Sequence, residues 1–282
     1  MSHGQRSKSL VNAKKTKNSS ANRVLGILDL FTPEKPAWTV EMLQEELGQA
    51  RATIYRYLRD LTDSGFLVAV SGGQYVLGPR FIEFDRQIRI CDPLIQVAVP
   101  IMAEIRDIVA GGQLLCTFYG DRVMTVHRDQ SDPNVVKHMS MERGKPFPLF
   151  RGSPSKTILA NLSNYQLKNV YLLHEQAIRE EGLGDSWSEF LANMKKIRRN
   201  KYWIASDIDT TLIGVSAPIF SSPNAISGAL CLVRHKKDAS EADLAMLGEL
   251  AVKAADRITE GLQQKCQSGD AGSFVPSARM IR

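Results

Sequence analysis

Two short segments hold residues in spacings known from catalysis. His127-Arg128-Asp129, with Asn134 after it, fits the H-R-D-x-x-x-x-N loop of protein kinases, in which the aspartate accepts the proton of the substrate hydroxyl. A kinase also needs a glycine-rich loop over ATP, a strand lysine upstream and Asp-Phe-Gly downstream. The chain contains no Asp-Phe-Gly, and its upstream region is taken up by a different arrangement, so this segment reads as a strand end running into a turn at Asp132-Pro133-Asn134. Ser153-Pro154-Ser155-Lys156 fits the S-x-x-K of serine acyl-enzymes. Two fixed positions of common residue types recur by chance, and the companion S-D-N and K-T-G motifs are absent, so a helix start is the better account.

Metal chemistry has less support. His3, His127, His138, His174 and His235 show neither H-x-x-x-H nor H-E-x-x-H spacing. Cys91, Cys116, Cys231 and Cys266 are scattered with no C-x-x-C pair, which points to reduced thiols and away from structural zinc. No metal and no cofactor is expected.

A third segment is binding chemistry. In "ARATIYRYLRDL", residues 50–61, Ile54, Tyr57, Leu58 and Leu61 fall at i, i+3, i+4 and i+7 and form one apolar stripe. Arg51, Ala52, Tyr55, Arg56 and Arg59 share the other side, with no carboxylate before Asp60. Such a face is either solvated or built to lie against phosphates and base edges. Charge distribution favours the second: residues 1–90 hold 13 Lys+Arg against 9 Asp+Glu, a larger excess than the rest of the chain carries. A basic first third suits a polyanion, most simply nucleic acid. No apolar run reaches the ~18–20 residues of a membrane span, and the first 20 residues have no apolar core of a secretory signal, so no membrane partner and a cytoplasmic location are expected.

The elements around that helix give it a context. Residues 1–20 are basic and free of acids and read as a disordered arm. A helix over "ANRVLGILDLF" presents Val24, Ile27, Leu28 and Phe31, and two prolines in "TPEKPAW" end it. Thr39 is an N-cap for "VEMLQEEL", and Gly48 is its stop. The basic helix follows a turn of about three residues. "FLVAV" and "QYVLG" then flank Ser71-Gly72-Gly73, where the two glycines suit the positive φ angles of a hairpin turn. Helix, helix, turn, helix and hairpin make a winged helix-turn-helix over 21–78, with the third helix for recognition and the hairpin as wing.

A linker helix over 79–92, opened by Pro79, leads to a helix over 94–110. Strand-like runs "QLLCTFYG", "RVMTVHR" and "KHMSME" come next, then helices over 155–163, 164–180 and 185–199. Strands "WIAS", "LIGVSAPIF" and "ISGALCLVR" precede a last helix that Ser240 and Asp243 open as a capping box. Its stripe is Leu244, Leu247, Ala251, Ala254, Ile258 and Leu262. Strands flanked by helices predict an α+β domain over 93–264 with a mainly antiparallel sheet, followed by a disordered tail over 265–282.

With these residues in place, "LGQARATIYRYLRDLTDSGFL" and "YVLGPRFIEF" resemble the DNA-binding domain of IclR-type transcriptional regulators. Leu47, Gly48, Arg51, Thr53, Arg56, Leu58, Tyr75, Leu77 and Gly78 match its Leu-Gly-x-Pro-Lys/Arg-Ser-Thr-x-x-Arg-Leu-Leu core and Tyr-x-Leu-Gly wing end. Ala50 stands for the usual Pro, and Ala52 for the usual Ser, which removes a hydroxyl. "RGKPFPLFRGSPSKTILANLS" is similar to the family's Gly-x-x-x-Pro-Leu-His-x-x-Ala-x-Gly-Lys-x-x-Leu-Ala segment, with Gly144, Pro148, Leu149, Lys156, Leu159 and Ala160 matching, Phe150 in place of His and Ser155 in place of Gly. "GVSAPIF" resembles the strand after the family's acidic turn, with Asp207 or Asp209 the nearest acid.

The resemblance covers about residues 21–264 and implies a GAF-like C-terminal effector domain that binds a small organic acid. It places Ser153 and Pro154 at the pocket floor, where a loop entering a helix offers N–H groups to an anion, and Gly152 and Asp207 are expected among the effector contacts. It places Cys231 and Val233 on the facing strand, where some members have serines; the less polar pair suits a ligand with an apolar or aromatic part. DNA contacts are expected from Arg51, Thr53, Tyr55, Arg56 and Arg59 and from the wing at Gly72 and Gly73, on double-stranded DNA with a palindromic operator bound by a homodimer or homotetramer. The competing reading is an enzyme that metabolises a small acid in the C-terminal domain, with the winged helix as a protein-contact module.

Overall fold

The computed structural model describes residues 20–119, 122–131, 135 and 141–267. Two compact units divide between Gln87 and Ile88.

In the first unit, α1 (Ser20–Gly26) is followed by a separate 3-10 turn, Leu28–Leu30, so the single helix expected over "ANRVLGILDLF" breaks after Gly26. Glycine is a poor helix former, and the tighter turn keeps Ile27 fully buried. Trp38–Thr39 forms β1, a strand the sequence reading missed. Two residues carry no alternation to detect. Thr39 also caps α2 (Val40–Leu47), its Oγ1 accepting the Met42 N–H at 3.3 Å, and Gly48 ends that helix at φ 61°. Then come α3 (Arg51–Asp63), β2 (Leu67–Val70) and β3 (Gln74–Leu77), in a sheet of order β1-β3-β2.

The apolar stripe of α3 is the floor of this unit. Ile54, Tyr57, Leu58 and Leu61 are buried against Ile27, Trp38, Leu43 and Leu67, which leaves the arginines outside. Gly78 ties off the wing: its N–H donates to the Phe66 carbonyl at 2.7 Å, and a Cβ there would stand 2.2 Å from the Gly65 carbonyl oxygen. That approach explains the glycine of the Tyr-x-Leu-Gly wing end. The helix expected over 79–92 is α4 (Arg80–Cys91), which buries none of its residues fully.

The second unit is an antiparallel sheet covered on both faces. Its strands are β4 (Gly112–Tyr119), β5 (Arg122–Gln130), β6 (Pro146–Phe147), β7 (Trp203–Ala205), β8 (Leu212–Ser222) and β9 (Ala225–His235), in the order β6-β5-β4-β9-β8-β7. Strand period decides which side chain serves which face. Leu115, Leu230 and Leu232 pack against α5 (Pro93–Ile108) and α9 (Glu241–Gln267). Leu114, Cys116, Ala229, Cys231 and Val233 face α6 (Ser153–Ala160), α7 (Asn164–Glu180) and α8 (Trp187–Arg199). The α9 capping box forms as expected, Ser240 N–H to Asp243 Oδ2 at 3.1 Å and Asp243 N–H to Ser240 Oγ at 3.2 Å.

Element ends differ modestly from expectation. Helix α6 starts at Ser153, two residues early, because Gly152 at φ 79° serves as its N-cap. Helix α9 continues through Gln267, into the stretch expected as disordered tail, and Ser20 is helical where the arm was expected to reach it. The basic arm through residue 19, the tail after 267, the turn at 132–134 and the core of "KHMSME" lie outside the described residues.

Candidate functional site

The outer face of α3 keeps Arg51, Ala52, Tyr55, Arg56 and Arg59 exposed, with Thr53 half-buried. Ala50, before the helix, has φ −62°, the angle a proline is held to, so alanine reproduces the backbone of the usual family residue. Arg51 is held in place: it pairs with Glu41 of α2 at 2.9 Å and donates to the Tyr55 hydroxyl at 3.3 Å. Arg56 lies over the Tyr57 ring at 5.5 Å. Neither Arg56 nor Arg59 has a carboxylate partner among the described residues.

Helix and wing form a groove. Ala52, Tyr55, Arg56 and Arg59 line one side, and Ala69 and Tyr75, cross-strand partners in β2 and β3, line the other. Tyr75 is the tyrosine of the Tyr-x-Leu-Gly wing end, while Ala69 has no counterpart in the sequence reading, although strand alternation puts both on one face. At the wing tip Gly72 and Gly73 take φ 78° and 68°, as expected, but the loop spans three residues because Val70 pairs with Gln74.

In the second unit a cavity opens where α6 meets the sheet and the segment between β7 and β8. The cavity has a volume of about 60 Å³, enough for a small occupant. The expected residues Gly152, Ser153, Pro154, Asp207, Cys231 and Val233 all line it, joined by Leu114, Phe147, Ile208 and Leu212. Ser153 Oγ lies 2.7 Å from Ser216 Oγ and 3.5 Å from Cys231 Sγ. Gly214 leaves room for that contact, since a Cβ there would stand 2.8 Å from Ser153 Oγ. Burial pushes the Cys231 thiol up, so it is a neutral, weakly polar wall.

Two carboxylates line this cavity, Asp207 and Asp209, and Asp207 is the one that meets α6. Its Oδ1 accepts the Gly152 N–H at 2.8 Å, and its Oδ2 accepts from Lys156 Nζ at 2.6 Å. Arg151 donates to the Asp207 carbonyl. Asp209 is a turn residue, its Oδ1 accepting the Thr211 N–H at 2.7 Å. Burial pushes the Asp207 carboxyl up, but Lys156 and the Gly152 N–H outweigh it and hold the group below its ordinary value. A depressed folded-state pKa stabilises above the unfolded value and is lost as pH falls through the folded one. The stability difference between wild type and Asp207→Asn should therefore be constant from about pH 5 to 7 and shrink below about pH 4. Thermal melts across pH check this, and a difference that persists in acid would refute it.

The two catalytic-looking motifs are otherwise engaged. Lys156 Nζ bonds Asp207, while Ser153 bonds Ser216, so the spacing of S-x-x-K builds no serine–lysine pair. Asp129, in β5, accepts from Arg106 at 3.2 Å through both oxygens. His127 is half-buried in the same strand, and burial lowers its pKa. Among the described residues no group of three His, Cys, Asp or Glu could hold a metal ion, and no helix is long and apolar enough to cross a membrane. Lys156 and Ser216, which bond the lining residues Asp207 and Ser153, are the partners to which the sequence alone assigns no role. In the sequence Lys156 belongs to a helix start and Ser216 to a strand.

A winged helix-turn-helix with an open basic helix, joined to an α+β domain with a small cavity, defines a DNA-binding regulator architecture. The chain belongs to the IclR family of bacterial transcriptional regulators: the IclR helix-turn-helix domain matches residues 20–71, and the Bacterial transcriptional regulator IclR C-terminal domain matches residues 91–260. The HTH-type transcriptional regulator KipR of Bacillus subtilis is 23% identical over 245 residues, spanning 86% of this chain and 96% of its own. A Silicibacter protein described as an IclR transcriptional regulator shares the fold at TM-score 0.71 and 17% identity, over 87% of this chain and 96% of its own. An IclR homolog of Microbacterium hydrocarbonoxydans, solved with 4-hydroxybenzoate, does so at 0.67 and 20%, over 87% of this chain and all of its own.

Proposed function

We propose that this chain is a one-component transcriptional regulator of the cytoplasm whose grip on a palindromic operator changes when a small organic acid, with an aromatic or other apolar body, occupies the C-terminal cavity. The observation that carries the DNA half is the exposed pair Arg56 and Arg59, without carboxylate partners among the described residues, beside a wing. Arg51, Thr53 and Tyr55, with the wing glycines Gly72 and Gly73, complete the proposed contact surface. The recognition helix enters a major groove, and the wing follows the backbone. The ligand half rests on the cavity, whose apolar walls meet polar groups at Ser153 and at Asp207, the latter paired with Lys156. That a homolog was solved with 4-hydroxybenzoate supports an aromatic acid here.

One winged domain covers a half-site, so a homodimer or homotetramer is the working form. Helix α4 supports this: it exposes Ile82, Ile88 and Ile90, at 75%, 49% and 50%. A ligand that binds the two arrangements of the DNA-binding domains with different affinity shifts their balance, and ~1–3 kcal/mol suffices. The non-enzymatic reading follows the family and the absent serine–lysine pair. Affinity for duplex DNA should fall steeply as salt rises, since arginines that neutralise phosphates release counterions. Fluorescence anisotropy on operator DNA at several salt concentrations, with and without aromatic acids, tests both halves. A flat salt response would count against the DNA half, and an operator affinity that no acid alters would count against the ligand half.

A further inference from the structure

The place where a ligand's carboxylate would sit is already filled by the protein's own. Asp207 takes both the Gly152 N–H at the start of α6 and the Lys156 ammonium, whose side chain is 15% exposed. Resting on the ligand-pocket reading above, the geometry points to Asp207 as a resident stand-in for the ligand: the acid that binds here takes Lys156 and Gly152 from Asp207, and so carries one carboxylate and an apolar body.

Three features lead to this class. Exchange of one carboxylate for another leaves the charge beside Lys156 unchanged, so the ion pair by itself favours neither, and the intramolecular partner has the entropic advantage. A ligand wins only with apolar surface, which the cavity accepts against Leu114, Phe147, Leu212 and Val233. A bare small acid such as acetate has no such surface. A second carboxylate would face Asp209, and among the described residues the cations bonded to the cavity wall are Lys156, which the first carboxylate takes, and Arg151. Arg151 is engaged elsewhere, on the Asp207 carbonyl and on Glu181 at 3.7 Å. The displaced Asp207 side chain is already 32% exposed, so it reaches water by a short swing of the segment between β7 and β8.

The test removes the resident carboxylate and supplies another. Thermal melts of the full chain are compared for wild type, Asp207→Ala and Asp207→Ala/Lys156→Met, in sodium chloride, sodium acetate or sodium benzoate at equal ionic strength in the tens of millimolar. Acetate and benzoate should raise the melting temperature of Asp207→Ala by about 3 °C or more over chloride. Acetate should leave wild type unmoved, and the Lys156→Met background should abolish the gain. Equal stabilisation of wild type and Asp207→Ala by acetate, or none of Asp207→Ala, would overturn the proposal. If Asp207→Ala does not fold, Asp207→Ser, whose shorter side chain also vacates Lys156, is put through the same melts and is held to the same outcomes. An operator affinity that no acid changes would sink the ligand half of the functional reading while leaving this exchange standing, so the two failures are separable.

Discussion

Replacing both Arg56 and Arg59 by alanine is expected to weaken operator binding by about 2–4 kcal/mol, roughly 30- to 700-fold. Both side chains are exposed on the face of α3 that borders the wing groove, and the apolar stripe behind them is separate and buried. Each arginine therefore has binding to lose and little folding stability, a surface change being worth within about 0.5 kcal/mol. Arg51→Ala should cost less, because Glu41 and Tyr55 already engage its guanidinium and DNA has to compete with them. Titration of the variants against the fragment bound by wild type, with melts to confirm the fold, decides the matter. Unchanged affinity in the double variant would remove this face from the DNA-binding site.

Filling the cavity from its floor should have a comparable effect on the other half of the molecule. Ser153 is 2% exposed and stands between Ser216 and Cys231 at the mouth of α6. An indole at this position exceeds the available space, so Ser153→Trp should lower ligand affinity by at least about 100-fold through exclusion, at an overpacking cost of about 1–3 kcal/mol in stability. DNA binding should survive, because the recognition helix belongs to a different compact unit. Operator binding measured with and without ligand separates the outcomes: retained binding that no longer responds supports the pocket. Loss of both, repeated in the milder Ser153→Leu, would mean that the substitution had broken the core instead.

What was legible in the sequence follows from where the signals are local. The α3 stripe, the α2 caps, the wing glycines and the α9 capping box are each decided within a few residues, and all formed as expected. The break after Gly26 and the two-residue β1 were not legible, because they depend on packing Ile27 and on a partner strand more than thirty residues away. The same distinction divides the pocket. Gly152, Ser153, Asp207, Cys231 and Val233 were reachable through family resemblance, and strand alternation then put Cys231 and Val233 on the face that meets α6. The carboxylate seated on Lys156 was not, since residues 51 positions apart become neighbours only once the sheet is built.

The measurement that bears most directly on the central reading is footprinting of the purified full chain on fragments of its source genome at two salt concentrations. A discrete, roughly palindromic protected site that weakens as salt rises is the predicted result, since it requires paired recognition helices and phosphate neutralisation together. An absence of protection at either salt concentration, with correctly folded protein, would contradict the account and leave the cavity of the second unit to be explained by some activity other than control of DNA binding.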